Sequence, residues 1–215
     1  MSDAEVRVVV LTGRGPAFCA GADLKQRGGG AGGGAADNPF VAIMRLMREG
    51  SKPVICAVNG HAFGGGIGLV AAADIAIAAD SALFSFSEVR LGLIPAMISV
   101  VVLPKLGEHD TMRLFLTGER FSASEARDYG LLHRVVPAED LESAVLAEAA
   151  LIARGGPIAI AEAKQLVRIV SQSSLEDGFA YAASKIAALF ASAEAAEGMQ
   201  AFAQKRPPAW QQGDD

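Results

Sequence analysis

Short apolar runs alternate with longer amphipathic stretches along the first half of this 215-residue chain. The runs are rich in β-branched residues, which indicates buried strands, whereas the stretches between them carry apolar residues at helical spacing. A strand–helix–strand–helix–strand order is typical of α/β layer structures. We therefore predict strands over residues 6–11, 54–58, 74–78 and 83–86, and helices over residues 39–49 and from the glycines after Phe63 through Ala73.

From Glu108 onward the chain is predicted to be mostly helical. Ala-rich amphipathic segments predict helices over residues 138–154, 157–171, 175–191 and 194–204. Before them, Ser122 and Glu125 have the spacing of a capping box, and a last strand is predicted over residues 132–136. The length fits one domain, or one domain with a small C-terminal appendage, and we divide the chain into an α/β core over 1–137 and a helical region over 138–215.

Charge and composition exclude several kinds of partner. The formal net charge is −5 and no basic patch stands out, which argues against nucleic acid. The longest apolar run, residues 91–103, is interrupted by Gly92 and Pro95 and is shorter than the ~20 residues that span a bilayer. The acidic N-terminus lacks the pattern of a signal peptide. We therefore expect a soluble cytoplasmic protein with no membrane partner.

No metal site is expected. The two cysteines, Cys19 and Cys56, have no Cys or His at ligand spacing, and the three histidines are scattered along the chain. Two cysteines do not make a disulfide framework either. Both are therefore predicted to be small, buried apolar residues.

Two glycine-rich segments follow predicted strands and offer backbone N–H groups with little side-chain cover. They span residues 18–24 and 62–68, and the second leads into a helix, whose N-terminus favours an anion. Two converging N–H groups make an oxyanion hole. Close backbone packing or a nucleotide loop are the alternatives, but GxGxxG fails because Leu69 stands at its last position, and no GxSxG is present.

Glu88 lies in an apolar stretch, FSFSEVRLGLIP. A carboxylate in such surroundings either pairs with a cation or has a function. Arg90 is near in sequence and is a candidate structural partner. The residue pattern alone leaves the structural and the catalytic interpretation equally open.

Long stretches of the chain resemble the consecutive signature blocks of the crotonase superfamily, the enoyl-CoA hydratases and isomerases. The blocks are VRVVVLTGRGPAFCAGADLK, KPVICAVNGHAFGGGIGLVAAADIAIA and ALFSFSEVRLGLIPA. The later segments LTGERFSASEARDYGLLHRVVPAEDL and SAEAAEGMQAFAQKRPPAW resemble the blocks that follow in that family. The likeness covers nearly the whole chain, in the family's order.

The resemblance implies an α/β spiral of ββα units with a helical C-terminal region that mediates trimerisation, and trimers that pair into hexamers. The ligand would be an acyl-CoA thioester, with no other cofactor. The N–H groups of Ala20 and Gly65 would form the oxyanion hole, and Glu88 matches the second of two glutamates used by the hydratases. Further contacts to CoA would come from Ala20, Gly21, Ala22, Asp23 and, from a neighbouring subunit, Phe202 and Lys205.

The chain departs from the family at two places. The first hydratase glutamate is replaced by Gly68, which leaves two mechanisms open for Glu88. Glu88 could take a proton from water and pass it to the α-carbon, as in a hydratase, or it could move a proton between the α- and γ-carbons, as in 3-enoyl-CoA isomerases. The segment Pro95 to Ser99 resembles the corresponding segment of bacterial hydratases that act on branched enoyl-CoAs, and this likeness favours the hydratase. It leads to the hypothesis that Gly68 makes room for a branch on the acyl chain. The family's first strand pair and helix are also expected to be missing, which keeps a non-catalytic acyl-CoA-binding protein as an alternative.

Overall fold

Pairs of short strands, each followed by a helix, recur along the first part of the chain. The computed structural model describes residues 3–21 and 38–211. Within these ranges the strands are β1 (Val9–Thr12), β2 (Ala17–Cys19), β3 (Val54–Val58), β4 (His61–Phe63), β5 (Ile75–Ala79), β6 (Leu83–Ser85), β7 (Arg120–Ser122) and β8 (Arg134–Val136). The α-helices are α1 (Pro39–Glu49), α2 (Gly65–Ala72), α3 (Ala96–Thr117), α4 (Ala123–Asp128), α5 (Leu141–Ala153), α6 (Pro157–Val170), α7 (Leu175–Phe190) and α8 (Ala193–Ala203).

The strands form two four-stranded sheets, and each strand pair contributes one strand to each of them. The first sheet has the order β1-β3-β5-β8 and the second the order β2-β4-β6-β7. The chain thus advances by one strand in both sheets with every ββα unit, which makes a spiral. The α/β prediction, with a spiral of ββα units and a helical C-terminal region, is confirmed.

The core includes β3, β5 and α2, whose residues are mostly buried. All five residues of β3 are buried, as expected for a parallel strand that is covered on both faces. Cys56 belongs to this strand, and its burial raises the pKa of the thiol to about 12. Cys19 is only partly buried, so the prediction that both cysteines are buried is correct for Cys56 alone.

Helix α3 begins earlier than the sequence suggested. Residues 91–103 are interrupted by Gly92 and Pro95, and we placed the start of the helical half at Glu108. The structure instead begins α3 at Ala96, directly after Pro95. The helix carries a kink at Gly107, whose φ of 72° is not helical.

The chain divides into two compact units, which we call the core unit and the helical unit. The core unit contains Val10–Gly50 and Val54–Ala147. The helical unit contains Met1–Val9, Ser51–Pro53 and Glu148–Asp215. These bounds describe packing rather than independent folding, so the predicted domain division after residue 137 stays a prediction.

Within the helical unit, the segments before and after its helices are held by long-range hydrogen bonds. Arg7 donates to the carbonyl of Gly155 at 2.6 Å and to that of Trp210 at 3.3 Å. Arg206 binds the carboxylate of Glu197 at 2.7 and 3.0 Å, and these hydrogen bonds lower the pKa of Glu197 to about 2. The chain that follows α8 is thereby folded back along the helix.

Among the described residues, no single helix is both long and apolar enough to cross a membrane. The segments Ala138–Ala153 and Pro157–Val170 reach that length and apolarity only as a pair, with a bend of 103° between them.

Candidate active site

Three neighbouring strands of the second sheet end at the same edge. Strands β2, β4 and β6 run parallel, so their carboxyl ends lie side by side. Ala20 follows β2 directly, Gly65 follows β4 at the start of α2, and Glu88 follows β6 in a short 3-10 helix, Ser87–Leu91. Sheet topology therefore brings the three predicted catalytic positions to one edge of the core unit.

The backbone N–H groups of Ala20 and Gly65 are the two candidate oxyanion donors. Gly65 is the first residue of α2, so its N–H has no acceptor inside the helix. Neither N–H donates to any residue in the described part of the chain. The position of Gly65 depends on Gly64, whose φ of 51° and ψ of −116° suit glycine and whose N–H donates to the Ser85 carbonyl at 3.0 Å.

A backbone contact between Cys19 and Gly66 holds these two donors near each other. A Cβ added to Gly66 would lie 2.7 Å from the Cys19 carbonyl oxygen and 2.8 Å from the Cys19 Cβ. These distances are shorter than van der Waals contact, so only glycine fits at position 66. Ala20 and Gly65 each adjoin one partner of this contact. Two free N–H groups in such a place can stabilise negative charge on a carbonyl oxygen.

The Glu88 carboxylate lies directly beside Gly64. A Cβ added to Gly64 would lie 3.0 Å from Glu88 Oε1 and 3.9 Å from Oε2. Oε2 is buried and has no hydrogen-bond partner among the described residues. Because buried polar atoms are nearly always satisfied, an unpartnered carboxylate oxygen points to a ligand or a reaction that uses it.

Arg90 does not pair with Glu88. Its guanidinium donates to the Thr117 carbonyl at 3.4 Å and lies against Gly118. The structural interpretation of Glu88, as one half of an Arg90 ion pair, is therefore wrong for the described structure. The Glu88 carboxylate is therefore not neutralised by Arg90 and can take part in binding or catalysis.

Gly68 makes no room for a branched ligand, contrary to the expectation from the sequence. Gly68 is buried, and a Cβ added there would overlap Ile98 Cγ2 and lie 3.1 Å from Ile98 Cβ. Met44 Sδ lies 3.4 Å from the same point. The space that a glutamate side chain at position 68 would need is thus filled by Ile98 from α3 and Met44 from α1.

Sequence reasoning missed the apolar residues that surround the glycines. The ring of Phe40 lies over Gly65, with its Cζ 3.3 Å from the place of an added Cβ. Phe40 and Met44 are four residues apart and share one face of α1. The sequence shows this spacing, but it does not show that this face of α1 packs against α2.

The residues expected to contact CoA are only partly described. Gly21 has a φ of 98° and lies close to the Phe63 carbonyl, whereas Ala22 and Asp23 lie outside the described residues. Phe202 and Lys205 belong to the helical unit. The Phe202 side chain is 87% exposed, and Lys205 follows the end of α8 with a φ of 54°.

Metal-ligating side chains do not gather in the described part of the chain, where no three His, Cys, Asp or Glu residues form a group that could hold an ion. The expectations of no metal and no cofactor besides the CoA of the substrate stay predictions.

Comparison with known proteins agrees with this architecture. Residues 1–213 match the model of the enoyl-CoA hydratase/isomerase family. A carnitinyl-CoA dehydratase from Salmonella paratyphi A is 38% identical, and the match covers 97% of this chain and 82% of that protein. The chain therefore belongs to the enoyl-CoA hydratase/isomerase family, and the resemblance to the crotonase superfamily is confirmed.

Solved structures show the same fold. The crystal structure of an enoyl-CoA hydratase from Shewanella pealeana matches with a TM-score of 0.90 at 34% identity, over 97% of this chain and 80% of that one. An enoyl-CoA hydratase/isomerase from Marinobacter aquaeolei matches with a TM-score of 0.89 at 37% identity, over 97% and 83%. These likenesses support a crotonase-type enzyme of the hydratase class that acts on CoA thioesters.

Proposed function

We propose that this protein is an enoyl-CoA hydratase that adds water to a 2-enoyl-CoA thioester, or removes it, with Glu88 as its single acid–base residue. One observation carries the proposal. The buried Oε2 of Glu88 lies at the same sheet edge as the N–H groups of Ala20 and Gly65, and none of the three has a hydrogen-bond partner among the described residues. Relatives named for the dehydration of carnitinyl-CoA support the same reaction type.

The proposed steps use these groups as follows. The thioester carbonyl accepts hydrogen bonds from the N–H groups of Ala20 and Gly65, which stabilise the enolate oxygen as the water oxygen bonds to C3. Glu88 takes one proton from that water and delivers a proton to C2, so the carboxylate is regenerated. The C2–C3 double bond becomes single, and the product has gained one water. Dehydration is the reverse sequence.

A 3-enoyl-CoA to 2-enoyl-CoA isomerase is the second candidate, and the surroundings of Gly68 favour it. Ile98 and Met44 fill the place of the first hydratase glutamate with apolar atoms. A site with one carboxylate has one group fewer to hold water. In this reaction Glu88 would move a proton between C2 and C4, while the same two N–H groups stabilise the dienolate.

We further propose that Ala20, Gly21, Ala22 and Asp23 contact the CoA moiety, together with Phe202 and Lys205 of a neighbouring subunit. The strong exposure of Phe202 is compatible with a contact outside its own chain. Cytoplasmic localisation remains a prediction from the sequence.

Association into a homotrimer or homohexamer is supported by the helical unit, which exposes large apolar side chains. More than half of each of the following is exposed: Val167, Leu175, Phe179, Phe190 and Phe202. Sedimentation equilibrium should give a mass of three or six chains. Phe179→Glu places a charge on this surface and should shift the protein to smaller species, whereas Glu108→Gln, an exposed substitution in the core unit, should not. A monomer at every concentration would contradict the proposal.

Mass spectrometry of the reaction products tests the function and separates the two candidates. The protein is incubated in ¹⁸O-labelled water with a 2-enoyl-CoA and, separately, with a 3-enoyl-CoA. A hydratase converts the 2-enoyl thioester into a product that has gained one labelled water. Conversion of the 3-enoyl into the 2-enoyl thioester at unchanged mass would instead establish the isomerase. Turnover of neither compound would refute both.

A further inference from the structure

Glu88 and Ile98 contact two glycines, Gly64 and Gly68, that lie one helical turn apart at the start of α2. Gly64 is the N-cap of α2, and Gly68 lies four residues further, where its N–H donates to the Gly64 carbonyl at 3.4 Å, so the two glycines are about 6 Å apart along the axis. Glu88 rests against Gly64, and Ile98 rests against Gly68. The chain from Glu88 to Ile98 therefore runs alongside the start of α2.

The space around Gly68 is closed by these contacts. Ile98 is only 3% exposed, and it meets the Gly68 backbone so closely that even a methyl group at position 68 would overlap it. Met44 completes the contact from the side of α1. Because protein interiors are densely packed, the extent of any opening here depends on the size of the side chain at position 98.

We propose that Ile98 is a specificity-determining residue, which limits the substituents that the site accepts at C3 of the acyl chain. This rests on the proposed acyl-thioester site. With the carbonyl at Ala20 and Gly65 and C2 beside Glu88, C3 is the next atom of the chain. A branch at C3 would then meet the apolar wall that Ile98 forms one turn further along α2. The geometry therefore favours thioesters that are unbranched at C3.

The test compares, by calorimetry, the binding of two saturated thioesters that can be neither hydrated nor isomerised, butanoyl-CoA and 3-methylbutanoyl-CoA. The wild-type protein should bind the unbranched thioester more tightly. Ile98→Ala should shift the ratio of the two Kd values toward the branched ligand by about 10-fold or more, since a methyl group in an apolar pocket changes selectivity by that much. Ile98→Val, a smaller change that preserves the fold better, should shift the ratio in the same direction by less.

Two further variants separate this role from a general loss of packing. Leu114→Ala removes the same number of carbons from a buried site of the same helix, beyond its kink, and should leave the ratio unchanged. Gly68→Ala should lower the melting temperature, because its methyl overlaps Ile98 Cγ2. Adding Ile98→Ala should restore part of the lost melting temperature, because alanine lacks Cγ2. Adding Ile98→Val should not restore it, because valine keeps Cγ2.

The inference is overturned if Ile98→Ala leaves the Kd ratio at its wild-type value, if Leu114→Ala shifts it equally, or if the wild-type protein binds neither thioester. Its failure is distinct from failure of the proposed function, since saturated thioesters lack the C2–C3 double bond and can be neither hydrated nor isomerised. A shifted Kd ratio in a protein that adds no water would support the role of Ile98 and contradict only the hydratase.

Discussion

Replacing Glu88 by glutamine is expected to slow turnover by about 10²–10⁴-fold, the contribution of a positioned acid–base group. Glutamine keeps the shape of the side chain beside Gly64 but cannot accept and return a proton. The measurement is kcat on whichever enoyl-CoA the wild-type protein converts, together with the Kd for butanoyl-CoA. The Kd should stay near its wild-type value, because the thioester carbonyl binds to backbone N–H groups.

Glu108→Gln is the matched control for this variant. Glu108 is also in the core unit and is exposed on α3. Its replacement changes the net charge by the same amount and should leave kcat unchanged. Wild-type turnover in Glu88→Gln would remove this carboxylate from the mechanism, and an equal loss in both variants would assign the effect to charge alone.

Replacing Gly66 by alanine is expected to reduce kcat by about 10²–10³-fold, the effect of losing one oxyanion donor. The donors are the backbone N–H groups of Ala20 and Gly65, which a substitution at either position would leave in place. The added methyl would be forced against the carbonyl and Cβ of Cys19. The chain at Ala20 and the start of α2 must then move apart, although neither catalytic position is itself substituted.

Gly178→Ala provides the control for a glycine in a helix. Gly178 lies inside α7, where an added Cβ would meet Val170 at an ordinary 3.6 Å. That substitution should leave kcat unchanged and leave the melting temperature equal or slightly higher, because alanine favours a helix. If Gly66→Ala keeps wild-type kcat, the contact between Cys19 and Gly66 does not position the donors.

The sequence was most informative where one element is long or fully buried. Helix α1 occupies the predicted residues 39–49, and β3 the predicted residues 54–58, because periodicity and a continuous apolar run are strong local signals. Ala20, Gly65 and Glu88 lie at one edge of the second sheet, and their roles in catalysis stay predictions. Their proximity followed from the family resemblance rather than from any local pattern.

The second sheet was largely hidden in the sequence. Strands β2, β4 and β7 have three residues each, too few to show an alternating pattern, and β2 and β4 are the strands that place the two oxyanion donors. The surroundings of Gly68 were equally invisible. That position is filled by residues 24 before it and 30 after it, Met44 and Ile98, and such long-range packing leaves no signal in a single sequence.

Exchange of the α-protons of butanoyl-CoA in heavy water, followed by NMR, shows whether Ala20, Gly65 and Glu88 together form and protonate an enolate. Hydratase and isomerase both require an enolate stabilised at Ala20 and Gly65 and a proton moved at C2 by Glu88, and butanoyl-CoA can undergo that step alone. We expect the protein to bring deuterium into C2, and Glu88→Gln and Gly66→Ala to lose this activity. A wild-type protein that binds butanoyl-CoA without exchanging its α-protons would exclude an enolate formed by these groups.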